Sequence, residues 1–594
     1  MEIIGTPLNR VDARDKVTGL AKYTGDLVGP HMLVAKVLHS TFANGMVTSF
    51  DLSEAWKVPG VVDIVTCFDV PDIQFPTAGH PWSTDKKHQD IADRKLLNTR
   101  VRFYGDDIAA VIAETELAAL EATRKIKVAY EEYQPLLTME AAMQPGAGDI
   151  HEERPGNVVV RSTYEIGSFD EAIKEPGLIK IEGDYETPIV QHCHIEKAIS
   201  FAYKEAGKIV IVSATQIPHI IRRICSQALG IGFGDFRIIK PYIGGGFGNR
   251  QDALTEPLNA FLTIRVGGRP VKLEYTREET FNCTRVRHAM KFHITSYLRA
   301  DGSFAARSIT AYSNQGAYAS HAHALVANAV NGFRMMYPQG AIKSEAYTVY
   351  TNLPTAGAMR AYGIPQIGFA LESHVDDIAV ATGFDPIDLR ARNMMKLGYV
   401  DPLTSITCHS SGLAECIEKG EAYLQYRRKR DAYAAQTGPV RKGVGMAIFC
   451  YKTGVYPISL ETSACRMVLN QDGSLQLQMG ATEIGQGADT VFAMMAAETL
   501  GMTMDKIHVM SKQDTDTTPY DTGAYASRQT YVSGMAVKKT AESLKSRILE
   551  FAAFMLKKEA WDLDIKNNQV VRKNMGTPLV SVAEVAVESC YSLT

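Results

Sequence analysis

The sequence predicts a mixed α/β (α+β) fold divided into several domains, and three observations predict it. A chain of 594 residues exceeds what one hydrophobic core organises, so roughly three or four domains are expected. Short runs rich in β-branched residues alternate with stretches of helical period instead of segregating from them. Glycine-rich loops recur in front of helical runs, a layout of strand, turn and helix.

Taken in order, residues 1–143 carry two β-rich runs, VVDIVTCFDV (Val61 to Val70) and DDIAAVIAET (Asp106 to Thr115), and a helical stretch from Leu117 to Lys125. QPGAGD (Gln144 to Asp149) is a Pro/Gly loop and a boundary. Strands and helices alternate across 150–398. A connecting segment, 399–440, leads to a second boundary in YRRKRDAYAAQTGPVRKG (Tyr426 to Gly443), where a charged helix end meets Gly438 and Pro439. The last unit is 441–594. Arg299 to Ser320 and Asn470 to Thr490 each place a D-G-S hairpin turn before a strand and a glycine-containing loop, a hint that two halves share an architecture.

Composition bounds the function. The apolar fraction of 45% and charged fraction of 22% are those of a globular protein with a large core. Net charge is -3, from 63 basic and 66 acidic residues in no long block, so neither nucleic acid nor an anionic membrane is the expected partner. The start, MEIIGTPLNRVDARDK, has no apolar signal core, and no apolar stretch approaches the ~18 residues of a membrane span. A cytoplasmic protein is expected. The 9 cysteines are scattered without C-x-x-C, which argues against an iron–sulfur or zinc-knuckle site in this chain and against a disulfide framework.

The most distinctive stretch is PYIGGGFGNRQDALTEP, Pro241 to Pro257. Gly244 and Gly246 are followed by Asn249 where a dinucleotide fingerprint needs its third glycine, and no phosphate-loop G-x-x-x-x-G-K-[ST] occurs. After Gly248, the residues Leu254, Leu258, Phe261 and Leu262 fall at helical spacing, and Gly267 ends the run. EIGQG (Glu483 to Gly487) precedes a second helical run closed by Gly501, and Gly523 opens a third. Three helix N-termini approached by small residues can line a large polyanionic ligand; three unrelated tight turns explain them equally well.

Read together, these segments resemble the molybdenum-binding subunit of the xanthine dehydrogenase and aldehyde oxidase family. GTPLNRVDARDKVTGLAKYTGDL, VSATQIPH, IGGGFGNRQD, TNLPTAGAMRAYGIPQIGFALE, DPIDLRARN, TEIGQGADT and GAYASRQTYVSG follow in the family's order along essentially the whole chain. The resemblance implies an N-terminal hammerhead-like α/β domain and two elongated molybdopterin-binding domains, the second incomplete. It implies a Mo-molybdopterin cofactor, in bacteria often as the cytosine dinucleotide, with no direct protein ligand to the metal. It also implies the separate large subunit of a heterotrimer, with [2Fe–2S] and FAD on partner subunits. The chemistry implied is hydroxylation with water-derived oxygen: a carboxylate base takes a proton, and two electrons leave through the pterin.

Carried over residue by residue, Gln216, Phe247, Arg360 and Ala526 fall around the molybdenum, and Gly246, Gly485, Gln486 and Ala524 fall on the cofactor. Ile484 shares the pterin-contacting turn. Tyr362 falls where an aromatic stacks on a flat substrate. His192 and His194 in QHCHIE invite a metal reading, but a buried strand with hydrogen-bonded histidines is the expectation.

Departures from the pattern matter. The family's catalytic glutamate sits in a G-x-G-E-P-P stretch that this sequence lacks, and Glu196 and Glu256 are in the wrong context, so no catalytic base is assigned. A C-terminally truncated, non-catalytic remnant is therefore one expectation beside the hydroxylase. Gln251 stands where xanthine-oxidising enzymes commonly carry a glutamate, and Asn328 aligns with a helper arginine. Purines (hypoxanthine and xanthine) are the leading substrate class, with aldehydes and other N-heteroaromatics open. An NAD- or FAD-binding dehydrogenase rests on glycine loops alone.

Overall fold

The computed structural model describes residues 2–456 and 461–591. Its central feature is an eight-stranded mixed sheet in the order Gln513–Asp514, Phe236–Lys240, Lys208–Ser213, Ile199–Glu205, Val271–Glu274, Leu33–His39, Asp107–Ala113, Val61–Thr66. The strand Asp107–Ala113 is buried along its entire length, which its unbroken apolar run anticipates for a strand covered on both faces. Leu33–His39 lies parallel to Val271–Glu274 with Leu33 opposite Val271, so the sheet takes strands from both sides of the 144–149 loop. The helices Glu116–Lys125, Pro218–Leu229 and Glu256–Arg265 cover it. Thr115 caps the first by accepting from Ala118 N–H.

A five-stranded sheet follows, ordered Val158–Ile166, Ala341–Tyr350, Phe304–Gly316, Met290–Leu298, Ile179–Thr187. Helices Ala322–Met336 and Ile364–Thr382 pack on it around Phe292, Phe333 and Leu371. The connecting segment is itself helical, Leu413–Leu424 and Tyr426–Ala434, and buries Ile417 and Tyr426 in this same core. The last unit pairs two three-stranded sheets with the helices Ala488–Leu500 and Gly534–Leu556.

Both D-G-S sequences form the same turn. Ser303 N–H and hydroxyl donate to Asp301 Oδ1, Ser474 N–H and hydroxyl donate to Asp472 Oδ1, and the intervening glycines take left-handed φ of 83° and 74°.

Several expected boundaries move. The run Val61 to Val70 is extended only over Val61–Thr66, because Asp69 accepts from Thr66 and closes a turn. Gly248 leads first into one 3-10 turn, Asn249–Gln251, and the α-helix waits until Glu256. Gly523 does not open a helix: residues 524–528 form a loop, Gln529–Ser533 a π-helical turn, and the α-helix begins at Gly534. Among the described residues no helix is long and apolar enough to cross a membrane.

Candidate functional site

The three glycine-bearing loops meet around one large cavity of about 2700 Å³. Residues 244–248, 484–486 and 524–530 line it, together with 358–362 and 79–83. The glycine loop that follows strand Phe236–Lys240 is shaped by close approach. A Cβ on Gly246 would overlap Gln216 Oε1, and one on Gly248 would overlap the Ala358 carbonyl. Phe247 sits between them at φ 54°, half-exposed to the cavity, and its carbonyl accepts from Arg360 N–H at 2.8 Å.

Gln216 joins the walls. Its Nε2 donates to Ala524 O at 2.7 Å, its Oε1 accepts from Gly248 N–H at 3.0 Å, and its backbone carbonyl accepts from Ala524 N–H. One amide hydrogen remains for a ligand; the other holds the opposite loop, a structural duty that the sequence reading did not include.

Arg360 is exposed in the cavity wall, and among the described residues its guanidinium makes no ion pair or hydrogen bond, a charge available to an anion. Its backbone carbonyl accepts from Arg287. Tyr362 stands two residues on at φ 46°, with its carbonyl accepting from Asn328 Nδ2 at 2.7 Å. Asn328 thus positions Tyr362 with its amide nitrogen, while the Gln251 side chain lines the cavity without a partner among the described residues.

On the far wall the N–H groups of the EIGQG loop are already taken. Glu483 Oε1 accepts from Gly485 N–H at 2.6 Å and Gly487 N–H at 3.2 Å, and Oε2 accepts from Asp489 N–H at 3.1 Å. This corrects the helix-terminus expectation: the carboxylate occupies the positive end of helix Ala488–Leu500, and the loop meets a ligand through Ile484, Gly485 and Gln486 instead. Gln486 Nε2 donates to Gln529 Oε1 at 2.5 Å, leaving the buried Gln529 Nε2 without a partner and beside the cavity. Ala526 and Ser527 take φ of 48° and 52°, which Arg528 enforces by pairing with Asp521 at 2.8 Å and Glu461 at 2.6 Å.

His192 and His194 are buried and hydrogen-bonded, as expected, but in a loop beyond the short strand Val190–Gln191. His192 faces the carbonyls of Arg285 and Ala358, and His194 lies between Glu196 O and Asn249 Nδ2. Burial pushes them down to about 4 and about 3, so both are neutral in the fold.

The site has more parts than the motifs announced. Of the non-glycine residues with positive φ, Cys193, Phe247, Ala361, Tyr362, Ala526 and Ser527 all line the cavity. His80, Trp82 and His323 line it too, outside every motif, and Gln529 lines it from within GAYASRQTYVSG without having been singled out.

The molybdopterin cofactor-binding domain family matches residues 150–394 and 419–592, and the aldehyde oxidase and xanthine dehydrogenase a/b hammerhead domain matches residues 18–134. The chain is 44% identical, over 98% of its length and 77% of the relative's, to the xanthine dehydrogenase molybdenum-binding subunit of Escherichia coli O157:H7. It is 31% identical to the nicotinate dehydrogenase large molybdopterin subunit of Eubacterium barkeri, over 70% of this chain and 95% of that one. Its fold matches quinoline 2-oxidoreductase from Pseudomonas putida 86 with a TM-score of 0.89 at 24% identity, covering 99% of this chain and 76% of that one.

Proposed function

The chain belongs to the xanthine dehydrogenase and aldehyde oxidase family of molybdopterin-binding large subunits, and on that premise we propose that it hydroxylates purines such as hypoxanthine and xanthine. In this reading the cofactor is the cytosine dinucleotide form, and electrons pass to [2Fe–2S] and FAD on separate subunits. The observation that carries it is the unpaired Arg360 guanidinium between Phe247 and Tyr362 on an open cavity.

The residues present fit the cofactor. The glycines at 245 and 246 let the loop close onto His194 and Gln216 while its backbone lines the cavity, Arg360 and the unpartnered Gln529 amide offer donors, and Gln216, Gly485, Gln486, Ala524 and Ala526 line the same space. When bound, the molybdenum centre supplies the water-derived oxygen and accepts the two electrons. Phe247 and Tyr362 wall a flat substrate, Gln251 offers it a neutral amide, and Gln216 holds the two loops in register.

A second reading, that the chain does not turn over unaided, rests on the cavity's carboxylates. Of those lining it, Asp26 accepts from Tyr23 N–H, Glu274 is held by Lys197 and Lys272, and Glu372 and Asp376 by Arg390. Glu196 is tied through Oε2 to Gly244 N–H and Arg250 and keeps only a buried Oε1 unpartnered, so among the described residues no exposed, uncommitted carboxylate is presented as a base.

The test is to purify the chain with its partner subunits, quantify molybdenum and pterin, and assay hydroxylation in ¹⁸O-labelled water. Label in oxidised purine is the expected result. Bound nicotinamide or flavin on this chain overturns the family chemistry, turnover of aldehydes alone moves the substrate class, and a loaded complex without turnover favours the second reading.

A further inference from the structure

Beside Tyr362 the cavity wall holds two imidazoles, backed by a third and by a carboxylate, that the proposed chemistry does not use. His80 lies on the 79–83 segment, His321 and His323 at the start of helix Ala322–Met336, and Asp90 is buried behind them. His80 Nδ1 and Asp90 Oδ1 are 2.5 Å apart. His323 Nε2 is 3.7 Å from the same oxygen, and Arg223, from helix Pro218–Leu229, reaches 3.8 Å from the other. The arrangement has the ligand types of a metal site but the wrong spacing. Two ligands on one zinc lie ~3.3 Å apart, whereas the His80–Asp90 contact is a direct hydrogen bond with a guanidinium already beside it.

The proton positions follow from the contacts. Asp252, which accepts from Thr77 and Ser320 and pairs with Arg285, lies 3.5 Å from His321 Nε2; that is too long for a hydrogen bond, but a carboxylate there disfavours a bare lone pair, which places the proton on Nε2 and the lone pair on Nδ1. His80 Nε2 is 3.2 Å from His321 Nδ1. With His80 Nδ1–H held by Asp90, two bare ring nitrogens would face one another, so a proton lies between them, on the imidazole that has the carboxylate. Burial alone would push His80 down, and Asp90 more than offsets it, leaving its imidazole above the ordinary value.

Tyr362 Oη also approaches His321 Nδ1, at 3.0 Å, and that nitrogen has one lone pair to share between two donors. When the tyrosine takes it, the nearest acceptor left to His80 Nε2–H is Tyr362 Oη at 3.5 Å, too long for a sound hydrogen bond. A charged donor is left under-satisfied in a cavity wall whose nearby amides, Gln251 and Asn328, are neutral.

We propose that His80, oriented by Asp90 and flanked by His323 and Tyr362, is a substrate-binding residue that donates to the exocyclic carbonyl oxygen of a flat heteroaromatic ring. The proposal rests on the hydroxylase reading for the substrate class, and equilibrium binding tests it without turnover. The assembled complex is titrated with hypoxanthine and with purine, which lacks the 6-oxo acceptor. His80→Ala is expected to weaken hypoxanthine roughly tenfold or more and leave purine within about twofold, as befits one charged hydrogen bond. His80→Gln, which keeps a donor near the same place, restores most of the loss; Asp90→Asn weakens hypoxanthine without abolishing it. In steady state KM carries the effect and kcat does not. Equal weakening of both ligands, or no change in either, overturns the subsite. One zinc per chain that vanishes in His323→Ala also overturns it, in favour of a metal site. Absence of molybdopterin from the complex would instead reject the hydroxylase reading and leave the binding comparison valid.

Discussion

The cavity wall built from residues 192–252 and the wall built from residues 484–530 differ in where their polar groups are committed. In the first, Arg250 donates to the carbonyls of Gly245, Ala214, Glu196 and Lys197, and His192 and His194 face carbonyls. Its buried cation and imidazoles are committed to backbone, while Cys193 and Phe247 in left-handed conformation and the Gln251 amide are presented to the cavity. In the second, Ala526 and Ser527 are held in left-handed conformations and the Gln529 amide nitrogen is left unpartnered. Left-handed residues occur in both walls, and what the second adds is a buried amide donor without a partner beside the cavity. The difference teaches that the glycine-rich motif marks close packing against Gln216 and His194, while the spare buried donor sits in the loop whose motif is less conspicuous.

The largest effect should come from removing what holds the second wall in place. Arg528→Ala leaves Asp521, itself fully buried, without its cation, at a cost of about 3–5 kcal/mol. A lowered unfolding temperature and a reduced molybdenum-to-protein ratio are expected; full cofactor loading in this variant would break the contrast between the walls. Next, Gly246→Ala drives a methyl into Gln216 Oε1 and should cost about 1–3 kcal/mol with loss of activity. Gly485→Ala meets open space and suffers only its φ of 104°, about 1–2 kcal/mol, with cofactor content the measurement that ranks the pair.

The smallest effect is on pH dependence. His192 and His194 have folded values depressed below the unfolded imidazole, so their contribution is present above pH ~6.5 and lost as pH falls toward about 4. Acid lability should therefore begin in the first wall. His192→Gln removes one such group and should lower the acid-unfolding midpoint by roughly a few tenths of a pH unit, followed by fluorescence.

Much of this was legible in the residues. The alternation of strand and helix, the D-G-S turns and the ordered family segments led to the architecture, and Gln216, Phe247, Arg360, Tyr362, Gln486 and Ala526 do converge on one cavity. Helix starts after Gly248 and Gly523 were misplaced, because local glycine patterns carry no information about the long-range Gln216–Ala524 and Arg528–Asp521 contacts that keep those loops open. The carboxylate of Glu483 filling a helix N-terminus was invisible for the same reason. His80 and Asp90 stand ten residues apart in a segment without helical or strand period, and only folding sets them against His321 and Tyr362.

The hydrogen bond from Gln216 to Ala524 closes a loop of 308 residues. A nascent chain emerging from the ribosome can therefore pair the strands between residues 33 and 274 long before the second wall exists, and during that interval it carries half a binding site facing solvent. Insertion of a large cofactor between both walls has to wait until residue 524 has been made, a maturation step and not a seed around which the early sheet condenses.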